Sequence, residues 1–445
     1  SPEMGTLRIA DANYGMYERD VEISSYIGGA QKKYGWPTFI DATTGKNKPE
    51  RIIESMEQVN GALVLYQAVQ SLDDEVLRNI RRSNIKLDTY EKIQVHVRGR
   101  GMRSTSDLIL GLPGESLQSH LTALHKLIDA GTNQAHCFQS MMLKGADMET
   151  LETRNQFKFD TRYRVLPKNY GEYGNEKVFD VEEIIVATDT LPFEDYLECR
   201  SHHLTFSVFW NDSWFNDLMA LAEQFEIKPS EWLTAMLNAM KSDTGEMRQF
   251  LSDFLEETKN ELFDSKEACV AFYAAPENFE KLERGEIGDN LMYKYRAKAS
   301  FFLWKQVCRI SLDATAELLK KSGIQDRMDD FEGFWRDLHA WTEARHATGI
   351  DVDEILRPIR LVQNYDIQKW LDDGSPLELD VYRLKEAAPF EYRLTDDGAR
   401  ELQAALKVWT SQLTGLTKLV TRIRVTSQVR QCLPESELVD AGLKN

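Results

Sequence analysis

Through the first 150 residues, short apolar or β-branched runs alternate with longer stretches whose apolar positions recur at helical spacing. The short runs cover residues 7–12, 38–43, 63–69, 106–112 and 135–143, and the helical patterns between them cover 19–34, 49–60, 73–84 and 117–130. This alternation predicts parallel strands joined by crossover helices, closed as a barrel or left as an open doubly wound sheet. Pro49 suits a first helical turn. Ser71-Leu-Asp-Asp74 reads as a capping signature for the helix after it. From about Thr205 the pattern becomes helical, with no strands between. Phe331, Phe334, Trp335, Leu338 and Trp341 or Thr342 form one helical stripe, and Trp232, Met236 and Met240 form another; both read as packed core. From Leu377 a short β pattern returns, with a turn at Asp396-Asp397-Gly398 and a helix over 399–409.

Charge and cysteine usage narrow the function classes. The 445 residues carry 54 Lys and Arg against 72 Asp and Glu, a formal charge of −18, which makes nucleic acid a poor partner. The tail after Leu377 is no exception, with seven acids against five bases over 377–410. No apolar run reaches the roughly 18 residues of a membrane span. Five dispersed cysteines without a CxxC suit a reducing cytoplasm. The chain begins at Ser1 rather than Met, so a processed form or fragment is expected.

Two stretches carry candidate chemistry. In Asp107-Leu-Ile-Leu-Gly-Leu-Pro-Gly-Glu115 an apolar strand ends in glycine and enters a helix, the edge at which parallel α/β folds bind ligands. A tight turn with no ligand reads equally well. In Ala68-Val-Gln-Ser-Leu-Asp-Asp-Glu75, Gln70 ends a strand where its amide suits a sugar diol. Arg82, about three helical turns further on, suits a carboxylate; a solvated arginine is the plain alternative. Other candidates are weaker. They are the basic loop Arg98–Ser104, the Thr43-Thr-Gly-Lys46 turn without P-loop spacing, His202-His203, His136 beside Cys137, and the acids Asp189, Glu194 and Asp195.

In this order the motifs resemble the radical S-adenosylmethionine (SAM) superfamily. Asp11-Ala-Asn-Tyr-Gly-Met16, Thr44-Gly-Lys-Asn47, Ala68-Val-Gln-Ser71 and Leu110-Gly-Leu-Pro-Gly-Glu115 look like its branch with an amino-terminal cobalamin-binding domain, over roughly residues 6–203. The resemblance implies a (β/α)6, TIM-barrel-like fold. It places the methionyl amino group of SAM near Asp11, Asn13 and Gly15, its ribose at Gln70 and its carboxylate at Arg82. Ile109 and Gly111 would lie under the adenine, whose edge would meet the backbone near Phe138 and Gln139. It also implies a [4Fe–4S] cluster, cobalamin and an external electron donor.

The CxxxCxxC that holds the cluster in that family is missing, and five strands are counted where the family has six. The expected fold is therefore α/β: an incomplete (β/α)6 barrel over 1–204, a helical domain over 205–376 and a small α/β tail over 377–445. The expected function is a cobalamin-type radical SAM enzyme, present here as a fragment without the cluster ligands. It would act by C-methylation on a small-molecule, lipid-linked or peptide substrate. A radical rearrangement or oxidation without methyl transfer, and a silent SAM-binding scaffold, are the alternatives.

Overall fold

Residues 5–45, 47–84, 87–99, 102–174, 176–211, 213–324, 329–349, 351–409, 413–422 and 425–434 are described by a computed structural model of the protein. The architecture is mixed α/β. The chain divides into two units, Ser1–Thr161 with Ile184–Cys199, and Arg162–Glu183 with Arg200–Asn445.

In the first unit every expected run becomes a strand: β1 (Thr6–Arg8), β2 (Phe39–Asp41), β3 (Leu65–Tyr66), β4 (Ser104–Leu110) and β5 (Gln134–Gln139). They alternate with α1 (Glu18–Tyr34), α2 (Pro49–Gln58), α3 (Asp74–Asn79), α4 (Leu87–Gly99) and α5 (Leu117–Asp129). The strands lie side by side in chain order and run parallel. β1 pairs with β2, a single bridge from Ile40 to Leu63 carries the order to β3, and β3, β4 and β5 follow. Ile40, Leu63 and Leu65 face the helices and pack with Ile52, Met56, Ile93 and Val97 in one buried cluster. Each such side chain contributes about 1.5–3 kcal/mol by leaving water.

Two local expectations are corrected. The helix read over 73–84 ends at Asn79. Its N-cap is Asp73, whose carboxylate accepts from the N–H groups of Glu75 and Val76, while Ser71 Oγ only accepts from the N–H of Asp73. A carboxylate one residue before the first turn outcompetes a hydroxyl two residues further back.

Beyond α6 (Leu151–Gln156) the chain forms two long paired strands, β6 (Asp160–Tyr173) and β7 (Glu176–Ala187). Pro167 and the left-handed Lys168 (φ 65°) interrupt the strand pattern of β6, which hides it from a reading of alternation. The end of β7 meets the exit of β5 antiparallel, through Met141 and Ile184.

After α7 (Phe193–Phe209), the second unit contains α8 (Asn216–Glu223), α9 (Pro229–Ser242), α10 (Glu246–Asn260), α11 (Lys266–Ala274), α12 (Pro276–Glu283), α13 (Leu291–Phe301), α14 (Trp304–Lys321) and α15 (Phe331–Arg345). Both expected aromatic and methionine stripes are buried, on α15 and α9. The stretch read as strandless nevertheless holds β8 (Ile359–Tyr365), which begins ahead of Leu377 and pairs antiparallel with β9 (Arg383–Arg393). β10 (Gln431–Pro434) adds on the other side of β9. Only Gln363 and Tyr365 of β8 are buried, so its apolar alternation is too weak to stand out between helices.

Candidate functional site

Because β1 to β5 are parallel, all their exits lie along one edge, and the residues nominated from sequence fall there. After β1, the Asp11 carboxylate accepts from the N–H of Asn13 at 2.8 Å. Gly15 takes φ 85° and donates its N–H to Asp20 at 3.0 Å, the buried carboxylate that also accepts from the N–H of Tyr17 at 3.1 Å. The neighbouring Tyr14 is pinned to the loop after β2 by mutual backbone bonds with Thr43 and Gly45. Burial raises the Tyr14 phenol above its usual pKa, against the lowering effect of its 2.9 Å bond to Ser24.

Gln70 follows β3 in the left-handed region (φ 61°). Its N–H donates to the Asp107 carbonyl at 2.8 Å, and its carbonyl accepts from the Ile109 N–H at 2.9 Å, so this residue is stitched to β4 by its backbone. Arg82 reaches the same exit, although not by three helical turns. It lies in the coil beyond α3, after the left-handed Arg81, and its guanidinium donates to the Ala68 carbonyl and to Asn84 Oδ1. Burial lowers its pKa. Asn84, which sequence reading missed, donates to the carbonyls of Val69 and Ser71 at 2.8 and 2.7 Å. Arg82 and Asn84 together hold the segment that presents Gln70.

Ile109 of β4 pairs with Phe138 of β5, and Leu110 with Gln139. Gln139 donates to the Tyr196 hydroxyl at 2.7 Å, whereas Phe138 is half exposed. Gly111 takes φ 89°, and a Cβ there would lie 3.2 Å from the Ile185 carbonyl oxygen. The glycine is thus required first by the passage of β7 and only then by any ligand. Its N–H, and that of Leu112, donate to Glu115, whose other oxygen lies 2.9 Å from His120 Nδ1. Both side chains of this pair are fully buried, which makes the turn after β4 rigid.

The opposite face of the sheet from the helices carries a second group of residues, of which the sequence offered only His136, as a weaker candidate. Side chains alternate along β4, so Ser106, Leu108 and Leu110 are buried while Asp107 and Ile109 point the other way. Tyr66 of β3 donates its hydroxyl to Asp107 Oδ2, and His136 of β5, the register partner of Asp107, brings Nδ1 to 3.9 Å from Oδ1. Burial raises the Asp107 pKa, opposed by the Tyr66 hydrogen bond and the His136 charge. The signal was legible: an aspartate at the head of the apolar run Leu108-Ile-Leu110.

The remaining candidates are dispersed. Arg100 and Gly101 of the basic loop, and Lys46, lie outside the described residues. Glu194 and Asp195 sit in the first turn of α7, and the Asp189 N–H donates to the Phe157 carbonyl. All five cysteines are free thiols, and among the described residues no three His, Cys, Asp or Glu side chains converge. A [4Fe–4S] cluster requires three converging thiolates, so these residues do not fit one. No helix among them is long and apolar enough to cross a membrane.

No protein-family model matches the chain. It is 29% identical over 202 residues to the cobalamin-dependent radical SAM methyltransferase TokK of Streptomyces tokunonensis, covering 44% of this chain and 29% of that protein. It is 28% identical over 200 residues to the 2-(S-pantetheinyl)-carbapenam-3-carboxylate methyltransferase of Streptantibioticus cattleyicolor, covering 43% of this chain and 29% of that protein. The chain thus matches less than a third of the length of either relative.

Proposed function

We propose, from a sequence similar to cobalamin-dependent radical SAM methyltransferases, that the parallel sheet of the first unit belongs to a radical-SAM-type (β/α)6 barrel. On this reading residues 1–204 form the barrel region, with 205–376 a helical domain and 377–445 a small α/β tail, and the protein methylates a small molecule. A substrate bearing a carboxylate and an amide chain, like the one in the second relative's name, fits this class. Lipid-linked and peptide substrates are the wider alternatives. Five free thiols suit a cytoplasmic setting with an external electron donor.

The observation that carries the reading is the convergence of Gln70, Arg82, Ile109, Gly111, Phe138 and Gln139 along neighbouring exits of β3, β4 and β5. These residues fit SAM. Gln70 meets the ribose, Arg82 the carboxylate, and Ile109 with the Gly111 backbone covers the adenine, beside the backbone of Phe138 and Gln139. Asp11, Asn13 and Gly15 meet the amino group from the exit of β1. SAM, when bound, supplies the methyl group or the hydrogen-abstracting carbon radical. The chain's share is to orient it and keep water away from it. No step is assigned to the cluster, and no residue is assigned to cobalamin.

The test is calorimetric titration of the chain with SAM. Binding is expected, weakened ten- to a hundredfold in Arg82→Ala and tenfold or less in Gln70→Ala. Absence of binding to the unmutated, folded chain rejects the site. The dispersed cysteines favour a second reading, a SAM-binding scaffold without radical chemistry. Neither 5′-deoxyadenosine nor S-adenosylhomocysteine from the full-length protein, reconstituted with iron, sulfide, reductant and hydroxocobalamin and with its cluster confirmed by spectroscopy, would select it.

A further inference from the structure

The face of the sheet turned away from the helices is polar in its middle. Arg8 and Asp41 are register partners on β1 and β2 and form an exposed ion pair at 2.7 Å, and Tyr66, Asp107 and His136 follow on the next three strands. Within this row Asp107 stands apart. Its side chain is 13% exposed, its Oδ2 accepts from the Tyr66 hydroxyl, and its Oδ1 has no hydrogen-bond partner among the described residues. His136 Nδ1, at 3.9 Å, lies beyond the 2.7–3.2 Å of an N–H···O bond.

A buried carboxylate oxygen without a donor is costly, and proteins keep such groups where a partner arrives. The required partner is a donor. A neutral donor suits the lining, where the half-exposed Phe138 ring packs edge-on against His136 at 6.1 Å. Asp107 also stands two residues before Ile109 on the same face, about 6.6 Å along the strand, so its ligand would lie beside a nucleoside held at Ile109.

We propose that Asp107, set between Tyr66 and His136, is a substrate-binding residue that accepts a hydrogen bond from an amide N–H of the substrate. The assignment rests on the radical SAM reading above and extends it, by placing the amide chain of the substrate on the open face of the sheet and not at the strand exits. Tyr66 is a positioning residue. Its hydroxyl occupies Oδ2 and leaves Oδ1 as the carboxylate's unpaired acceptor.

The probe is pantetheine, which carries two amides and is titrated into the 445-residue chain with saturation-transfer NMR. Binding is expected, weakened tenfold or more in Asp107→Asn, which either turns its NH2 toward the incoming donor or turns it toward the Tyr66 hydroxyl and loses the bond that Tyr66 donates. SAM affinity, measured in parallel, should change by less than threefold. In the unmutated chain the His136 ring resonances should move along the pantetheine titration, because Nδ1 is 3.9 Å from the proposed acceptor. This arm does not depend on a variant that folds. Pantetheine binding unchanged in a folded Asp107→Asn variant, a static His136, or SAM binding without any pantetheine binding each overturns the proposal. Loss of SAM binding alone, with an Asp107-dependent pantetheine site intact, overturns the cofactor reading and leaves this one standing.

Discussion

At the scale of single residues, the nominated edge is built from backbone conformations that ordinary side chains resist. Gln70 at φ 61° is the clearest case, because a left-handed non-glycine residue stores about 1–3 kcal/mol. Replacing it with glycine removes that strain but adds roughly 0.5–1 kcal/mol of unfolded-state freedom. Gln70→Gly is therefore expected to hold or raise stability by up to about 2.5 kcal/mol, and Gln70→Val to lower it by about 1–3 kcal/mol, in urea unfolding. A glycine variant less stable than the valine variant would refute the strain. Asn84 tests the frame that presents Gln70, since it spans the carbonyls of Val69 and Ser71. Asn84→Ala should cost about 1–3 kcal/mol in the same experiment, with no cost meaning that the two bonds are idle. Gln70 and Gly111 were legible in the sequence as strand-end residues. Asn84 was not, because an asparagine in a polar stretch has no periodicity to mark it, and Arg82 reaches the sheet edge from coil beyond a helix that stops at Asn79, where three helical turns were expected.

At the scale of elements, the turn from β4 into α5 is locked by one side chain. Glu115 accepts from two backbone N–H groups and pairs with His120, all in the interior. Glu115→Ala strands those groups and should cost about 3–5 kcal/mol, whereas Glu115→Gln keeps an acceptor and should cost clearly less. Equal losses in thermal unfolding would show that charge, and not the hydrogen bonds, holds the turn. The parallel strands were legible because each is a short apolar run fenced by helical periodicity, as Ser104–Leu110 is by α4 and α5. β6 and β8 were not, since Pro167 and Lys168 break one and exposed charges such as Arg360 dilute the other. The cysteines belong to this scale too: Cys269 and Cys308 lie on α11 and α14 and Cys432 on β10, fixed in separate elements. Anaerobic reconstitution with iron and sulfide should leave no stoichiometric iron on this chain, and a full cluster lost on replacing Cys137 would contradict the geometry.

At the scale of the whole molecule, stability should depend on pH through a histidine remote from the sheet. His346 is 1% exposed and lies against Trp214 and Trp304, with ring centroids 4.0 and 4.4 Å away. Burial first, and the charge of Arg430 second, push its pKa down to about 3. Arg430 itself is held in place by donating to the carbonyls of Ala344, His346 and Ile355. An unfolded histidine titrates near 6.5, so between about pH 6.5 and 3 the unfolded chain binds a proton that the native chain refuses. The stabilisation is therefore complete above about pH 6.5 and is lost as pH falls toward 3, at a limiting slope of about 1.4 kcal/mol per pH unit. Glu257 works in the same direction in a lower window. Burial would raise its pKa, but the hydrogen bond and charge of Lys294, the Tyr295 hydroxyl and Lys298 outweigh burial and hold it below the usual value of 4.5, so its contribution fades only below that. Between pH 6.5 and 5 the difference between the native sequence and a variant without this imidazole isolates the histidine. Urea unfolding at pH 7, 6 and 5 should show stability falling in the native sequence and falling less in His346→Leu, which keeps an apolar group between the two indoles but cannot take a proton. Parallel slopes for the two proteins over that range would mean that the buried imidazole is not what the acid attacks.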